Sequence, residues 1–359
     1  MIRYSQQTID KDDIKNVTKV LRSKFLTTGP NVNFFEKFVA KQINARFGVS
    51  FNSATSALHV ACLALGLKKG DLLWTSANSF VASSNCALYC GAKVDFIDIE
   101  LETYNIDLNL LEKKLFINKK KKLKLPKIIV PIVFAGNSCD MEYLYMLSKK
   151  YNFKILEDAS HAYGAKYKNA YIGCGKYSDI SVFSFHPLKT VTTCEGGVAT
   201  TKDKSLYDRM GILRNHGIVR SGFLNKKYSK KNNLYYEQQL LGYNYRLNEI
   251  EATLGVSQVK KKSKFIRLRR NIAKFYDKEL NKKNMKIPNE GKNSYSSYHL
   301  YVILIKKKDR DELINYLQKR KIQVSIHYFP IPYHPYYKKI GHKKKYPNSE
   351  HYFKNAISI

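Results

Sequence analysis

Three short stretches hold residues whose types and spacing could do chemistry. Residues 184–197 read SFHPLKTVTTCEGG and contain one lysine, Lys189, just after an apolar run. An amine that loses hydration there also loses pKa, and near neutral pH it becomes a nucleophile able to form a Schiff base with a carbonyl compound. Residues 157–161 read EDASH, and Asp158 closes a second apolar run. A carboxylate in that position needs a cationic or hydrogen-bonding partner. Residues 52–56 read NSATS and lead into an apolar pattern of helical spacing. The free amides and hydroxyls of Ala54, Thr55 and Ser56 at a helix start suit a phosphate.

Each stretch also has a plain explanation. A lysine is usually a solvated charge, an aspartate a helix cap or metal ligand, and NSATS an ordinary N-cap. His161, three residues beyond Asp158, could contact a ring substituent or be a satisfied core histidine. Ser184 could add a hydroxyl donor five residues before Lys189. Taken together the stretches supply a phosphate cradle, a carboxylate for a protonated ring nitrogen and a Schiff-base lysine. Pyridoxal 5'-phosphate needs those three things.

The surrounding pattern must position them. Short apolar runs at 47–52, 72–80, 93–100, 127–136, 153–158, 179–185 and 196–201 alternate with helical stretches. That alternation predicts a doubly wound α/β fold with a mostly parallel sheet. Ligands bind beyond the carboxyl ends of such strands, which puts Asn52 to Ser56, Asp158, and Ser184 to Lys189 on one rim. After about residue 250 the texture changes. One or two long helices, a strand at 297–305, a helix at 310–320 and a strand at 322–330 predict a smaller α+β domain. The expected division is 1–250 and 251–359.

Composition narrows the class. Lys and Arg number 63 against 29 Asp and Glu, for a formal charge of +34. The basic runs, such as KKKKLK at 119–124, are poor in aromatics, and the whole chain is rich in Lys, Asn, Ile and Tyr. Attraction of an anionic substrate is a better use of this field than specific nucleic-acid binding. The six cysteines are scattered with no C-x-x-C pair, so neither a zinc site nor a disulfide framework is expected. No run of about 18 apolar residues exists to span a membrane, and the N-terminus lacks an apolar signal core, so the expected location is the cytoplasm.

The ordered stretches LTTGPNVNFFEKFVA (26–40), NSATSAL (52–58), EDASHAYGAKY (157–167), SFHPLKTVTTCEGG (184–197), RNHG (214–217), GYNYRLNEIEATLG (242–255) and HYFPIPYH (327–334) run nearly end to end. Through them the chain resembles the DegT/DnrJ/EryC1/StrS family of fold-type I, pyridoxal-phosphate-dependent sugar aminotransferases. The lysine-bearing stretch SFHPLKTVTTCEGG, FAGNSCDM and NSATSAL carry a narrower likeness to members that serve pseudaminic acid biosynthesis. The resemblance implies that Lys189 carries the cofactor and moves a proton, and that Asp158 partners the pyridine nitrogen. It implies further that Phe80 lies against the cofactor ring and His161 near its phenolic oxygen. Thr55, Ser56 and Ser184 would hold the phosphate. Asn244 would reach the partner subunit's phosphate, in a homodimer with shared active sites. Tyr4, Lys24, Phe25, Leu26, Thr27, Ile326, His327, Tyr328 and Phe329 would belong to the nucleotide-sugar site, and no metal is implied.

The implied reaction moves an amino group from L-glutamate to the C4 keto group of a UDP-linked 4-keto-6-deoxy-N-acetylamino sugar. The alternatives are another nucleotide-sugar aminotransferase, of the GDP-perosamine synthase type, and a non-catalytic basic binding protein. A sugar dehydratase on this fold is disfavoured, since those that lack the Schiff base carry histidine where Lys189 stands. Family members usually continue past the last strand into a helix. This sequence stops at Ile359, which is expected to leave apolar surface of the small domain exposed.

Overall fold

The computed structural model describes residues 1–224, 234–280, 284–291 and 293–359. Its main sheet has seven strands: Phe47–Phe51 (β1), Leu72–Ser76 (β2), Lys93–Ile97 (β3), Ile128–Val130 (β4), Lys154–Asp158 (β5), and, after a short hairpin of Lys166–Tyr167 (β6) and Ala170–Tyr171 (β7), Ile180–Ser184 (β8) and Gly197–Thr201 (β9). The order is β1-β9-β8-β5-β4-β2-β3. Only β9 runs against the rest. The strands are apolar nearly throughout because both faces are covered. Ile128 and Val130 enter one core with Ala57, Leu58 and Ala61 of the helix Ala54–Ala64 (α3 below). Ile129 enters the other with Phe35 and Val39 of the helix Pro30–Lys41 (α2). The first helix is Lys11–Leu21 (α1).

The run 127–136 does not continue as one strand. Pro131 has no N–H to donate, and after an isolated pairing of Ile132 with Asp158 the chain turns through a 3₁₀ segment at Phe134–Gly136. Two long helices do follow the main sheet, Glu249–Lys260 and Lys262–Glu279. A small antiparallel sheet of Met285–Lys286, Val302–Ile305 and Ala356–Ser358 packs Ile303, Ile305 and Ile357 with Ala273 of the second long helix. The expected helix near 310–320 spans Lys307–Lys319. The strand expected at 322–330 is absent. Only Ile322 and Ser325 pair there, with Ile2 and Ser358.

Candidate active site

β1, β5 and β8 end on the same rim. β1 gives way through Asn52 to α3, whose N-cap Ser53 accepts from the Ser56 amide at 3.1 Å. This cap leaves the Ala54 and Thr55 amides without a protein partner among the described residues. Gly197 opens β9 opposite Phe51 and Ser184. A Cβ there would stand 2.6 Å from the Ala54 nitrogen and the Ser53 carbonyl oxygen, so only glycine lets the start of α3 lie this close.

Past the end of β8 the chain turns at His186 to Lys189, closed by the Lys189 amide donating to the His186 carbonyl at 2.9 Å. The turn delivers the Lys189 amine to a cavity of about 340 Å³, lined also by Ala54, Thr55, Phe80, Asp158 and His161. Ser184, Tyr4, His327 and Tyr328 share its wall. Burial lowers the Lys189 pKa to about 8, against the opposing pull of Asp158. Asp158 is nearly covered, and its oxygens are held by donors. Oδ2 accepts from the Ser83 hydroxyl at 2.6 Å, and Oδ1 from the Ser160 hydroxyl at 2.6 Å and the Ser160 amide at 3.1 Å. This fixes the carboxylate while leaving lone pairs for a ligand.

Three histidines stand round the amine. His299 Nε2 is 3.4 Å from Lys189 Nζ, and its ring centroid is 4.3 Å from that of His161. The Ala135 amide donates to His161 Nδ1 at 3.3 Å, which leaves the proton on Nε2, 3.3 Å from the Tyr328 hydroxyl. Burial first, and then the charge on Lys189, hold His161 and His299 well below the usual histidine pKa and His327 at about 4. All three are neutral at pH 7, so the amine has no competing cation among them.

Other sequence-derived residues lie elsewhere in the single chain. Ser56 is buried in the α3 cap, and its hydroxyl donates to Asn52 Oδ1 at 2.6 Å. Lys24, Phe25, Leu26 and Thr27 are exposed ahead of α2, and Asn244 is exposed beside Asn215. Ile326 and Phe329 flank the cavity residues His327 and Tyr328 without lining the cavity. Conversely, local sequence does not mark Ser83 or His299, which meet Asp158 and Lys189 across 75 and 110 residues.

The model of the DegT/DnrJ/EryC1/StrS aminotransferase family matches residues 7–359. The chain belongs to this family. It is 40% identical to the UDP-4-amino-4,6-dideoxy-N-acetyl-beta-L-altrosamine transaminase of Campylobacter jejuni subsp. jejuni serotype O:2, over all of this chain and 92% of that protein. Among solved structures it is similar to Helicobacter pylori PseC, an aminotransferase involved in the biosynthesis of pseudoaminic acid. There the identity is 33% and the TM-score 0.89, over 99% of this chain and 92% of that one. It is also similar to Spr1654 of Streptococcus pneumoniae in its PLP form, at 27% identity and a TM-score of 0.86, over 99% and 92%. The fold-type I architecture of the DegT/DnrJ/EryC1/StrS family is thus that of this chain.

Proposed function

We propose that this aminotransferase uses pyridoxal 5'-phosphate to move an amino group from L-glutamate to the C4 keto group of a UDP-linked 4-keto-6-deoxy-N-acetylamino sugar, in a route of the pseudaminic acid type. One observation carries the reading. A desolvated lysine, a fixed carboxylate and a helix start with two free amides face one cavity. The residues fit the cofactor: two free amides and the Ser184 hydroxyl for its phosphate, Asp158 for its ring nitrogen, Lys189 for its aldehyde carbon. When bound, pyridoxal phosphate supplies a carbonyl that takes up an amino group and a ring that draws off an electron pair.

The chain's own groups do the rest. Lys189 anchors the cofactor and, once released by the donor amine, holds a proton at Nζ and moves it between carbons. Asp158 keeps a proton on the ring nitrogen. Phe80, at the mouth of the cavity, covers the ring, and His161 orients its phenolic oxygen. Tyr4, His327 and Tyr328 contact the sugar, with Ile326 and Phe329 backing them. The exposed positions of Asn244 and of Lys24 to Thr27 suit service in a partner's site, so the proposed unit is a homodimer with shared active sites. Six unpaired cysteines suit a reducing cytoplasm. No helix among the described residues is long and apolar enough to cross a membrane.

The test is chemical. Borohydride reduction of the protein loaded with pyridoxal phosphate, followed by peptide mapping, should label Lys189. L-Glutamate with UDP- and GDP-linked 4-keto sugars should give an aminated product with UDP preferred. Label on another lysine would sink the role of Lys189, and transfer only to a GDP sugar would sink the substrate.

A further inference from the structure

His299 is buried just ahead of the strand Val302–Ile305, where an apolar side chain would pack at less cost. Its Nδ1 is covered and has no hydrogen-bond partner among the described residues. Its Nε2 has one, the Lys189 amine at 3.4 Å. A histidine kept for packing alone gains nothing from either nitrogen.

The main chain around it is tied down. Tyr298, the residue before, has φ +44°, a left-handed conformation that a residue with a side chain rarely adopts. Its amide donates to the Ser296 hydroxyl at 3.0 Å. Arg269 Nη1 donates to the Tyr298 carbonyl at 3.4 Å and the His299 carbonyl at 3.2 Å. The His299 amide donates to the Ala135 carbonyl at 2.9 Å. Ala135 is left-handed too, at φ +56°, and its own amide donates to His161 Nδ1. One turn thus fixes the main chain of His299 and the ring of His161. Backbone strain persists where the surroundings over-determine it, and here it sets an imidazole against the reacting amine.

Charge decides which way the contact runs. With its pKa at about 8, the Lys189 amine is mostly an ammonium at pH 7, and an ammonium only donates. Burial first, and then the charge on Lys189, hold His299 well below the usual histidine pKa, so its ring is neutral. A neutral ring meeting a donor turns its lone pair toward it. Nε2 therefore accepts, and the ring proton sits on Nδ1. So weak a base does not take the proton outright. It marks a direction without competing for the charge. An amine nitrogen has three directions besides its bond to carbon. With one N–H on His299, the proton to be moved, and the lone pair left behind, are confined to the other two.

We infer that His299 is a positioning residue for Lys189: its Nε2 accepts one N–H of the amine released from the cofactor, and so aims the proton that Lys189 moves between carbons. The inference rests on the aminotransferase reading above and gives proton transfer a second side chain.

The experiment compares the wild type with His299→Phe, His299→Asn and His299→Gln. Loaded with pyridoxamine 5'-phosphate, which has no aldehyde, the enzyme keeps Lys189 free. Carbamoylation of Lys189 by cyanate, read by peptide mapping across pH, gives the midpoint of the amine's titration. Asp158 and Glu195 on the cavity wall and Arg269 behind His299 are the charged side chains nearby. His161, His186, His327, Tyr4 and Tyr328 complete the titratable wall. All are common to the proteins compared, so a difference in midpoint reports residue 299. Without its acceptor the ammonium is held less well, and His299→Phe should lower the midpoint by about half a unit or more. His299→Asn is too short to reach and should lower it likewise. His299→Gln brings a carbonyl oxygen near the place of Nε2 and should restore it. An unaltered midpoint in His299→Phe overturns the proposal, as does a rise, the sign expected if Nε2 donated to the amine. If His299→Phe does not fold, an unaltered midpoint in His299→Asn overturns it, and so does His299→Gln titrating like His299→Asn.

The second measurement is kinetic. The enzyme loaded with pyridoxal 5'-phosphate is mixed with L-glutamate or its α-deuterated form, and loss of visible absorbance is followed. His299→Phe should slow the saturated rate ~10-fold or more and enlarge the isotope effect, because proton transfer loses its aim. Half-saturating glutamate should stay within about twofold. A change confined to half-saturation, or a slowed rate with a smaller isotope effect, overturns the aiming role. A wild type whose absorbance glutamate leaves unchanged would defeat the aminotransferase reading instead, and the cyanate titration would still decide whether His299 holds the amine.

Discussion

Replacing Lys189 by methionine should abolish transfer and at the same time stabilise the cofactor-free protein. Burial moves the amine from its ordinary 10.5 to about 8, so the folded state disfavours the charged form. Between these two values the unfolded chain holds more protons than the folded one, and stability rises with pH across that window. Below about 8 the whole penalty is present, and above 10.5 it is gone. Linkage puts it at about 3 kcal/mol at pH 7 and about 1.4 kcal/mol at pH 9.5. Water in the cavity reduces both figures, since the amine opens onto that space, so they are ceilings. Methionine fills a similar volume without a charge. Urea unfolding of the two cofactor-free proteins at pH 7 and pH 9.5 measures the gap directly, because all other titrating groups are common to both. The variant should be the more stable at pH 7, and the gap should shrink by roughly half or more at pH 9.5. A wild type more stable than the variant at pH 7, or a gap indifferent to pH, would refute the claim that Lys189 is held desolvated.

Asp158→Asn should preserve the fold and lower turnover ~100-fold or more, because a neutral amide cannot keep the ring nitrogen protonated; near-normal turnover would remove Asp158 from its role. Gly197→Ala should cost about 1–3 kcal/mol of stability, since the new Cβ forces the start of α3 away. It should also weaken cofactor binding in an equilibrium titration, and an unchanged titration would mean that the phosphate cradle does not depend on this contact. Mixed dimers of Lys189→Ala and Asn244→Ala subunits should regain activity at limiting cofactor that neither homodimer shows; no recovery in verified mixed dimers would mean that Asn244 does not serve its partner's site.

The sheet was legible because its strands are buried on both faces and each ends in small polar residues. Phe47–Phe51, Lys154–Asp158 and Ile180–Ser184 fall where the apolar runs placed them, and the rim follows from their common direction. What local pattern could not show is pairing at long range. The segment 322–330 has strand-like composition, yet its two pairings are with Ile2 and Ser358, near the opposite ends of the chain. His299 is invisible for the same reason. In sequence it merely precedes an apolar strand, and only the fold brings its ring to Lys189. The mouth of the cavity was also only half legible. His327 and Tyr328 reach it, whereas the exposed Lys24 to Thr27 do not reach it within one chain.

A depressed pKa does not by itself mark the reactive lysine, and Lys262 shows why. Its pKa is also lowered to about 8 by burial. But Lys262 Nζ donates to the Gln42 carbonyl at 2.8 Å and lies over the Tyr171 ring at 4.9 Å. Its neighbours satisfy the cation and leave no room for a reactant. Lys189 meets only a neutral imidazole and open space. The difference lies in what surrounds the amine, not in how far its proton affinity has fallen. Both lysines are desolvated, and only one is desolvated beside a cavity that brings a carboxylate and free amides within reach. Desolvation supplies the nucleophile, and the unfilled hydrogen-bonding capacity around it selects what the nucleophile meets.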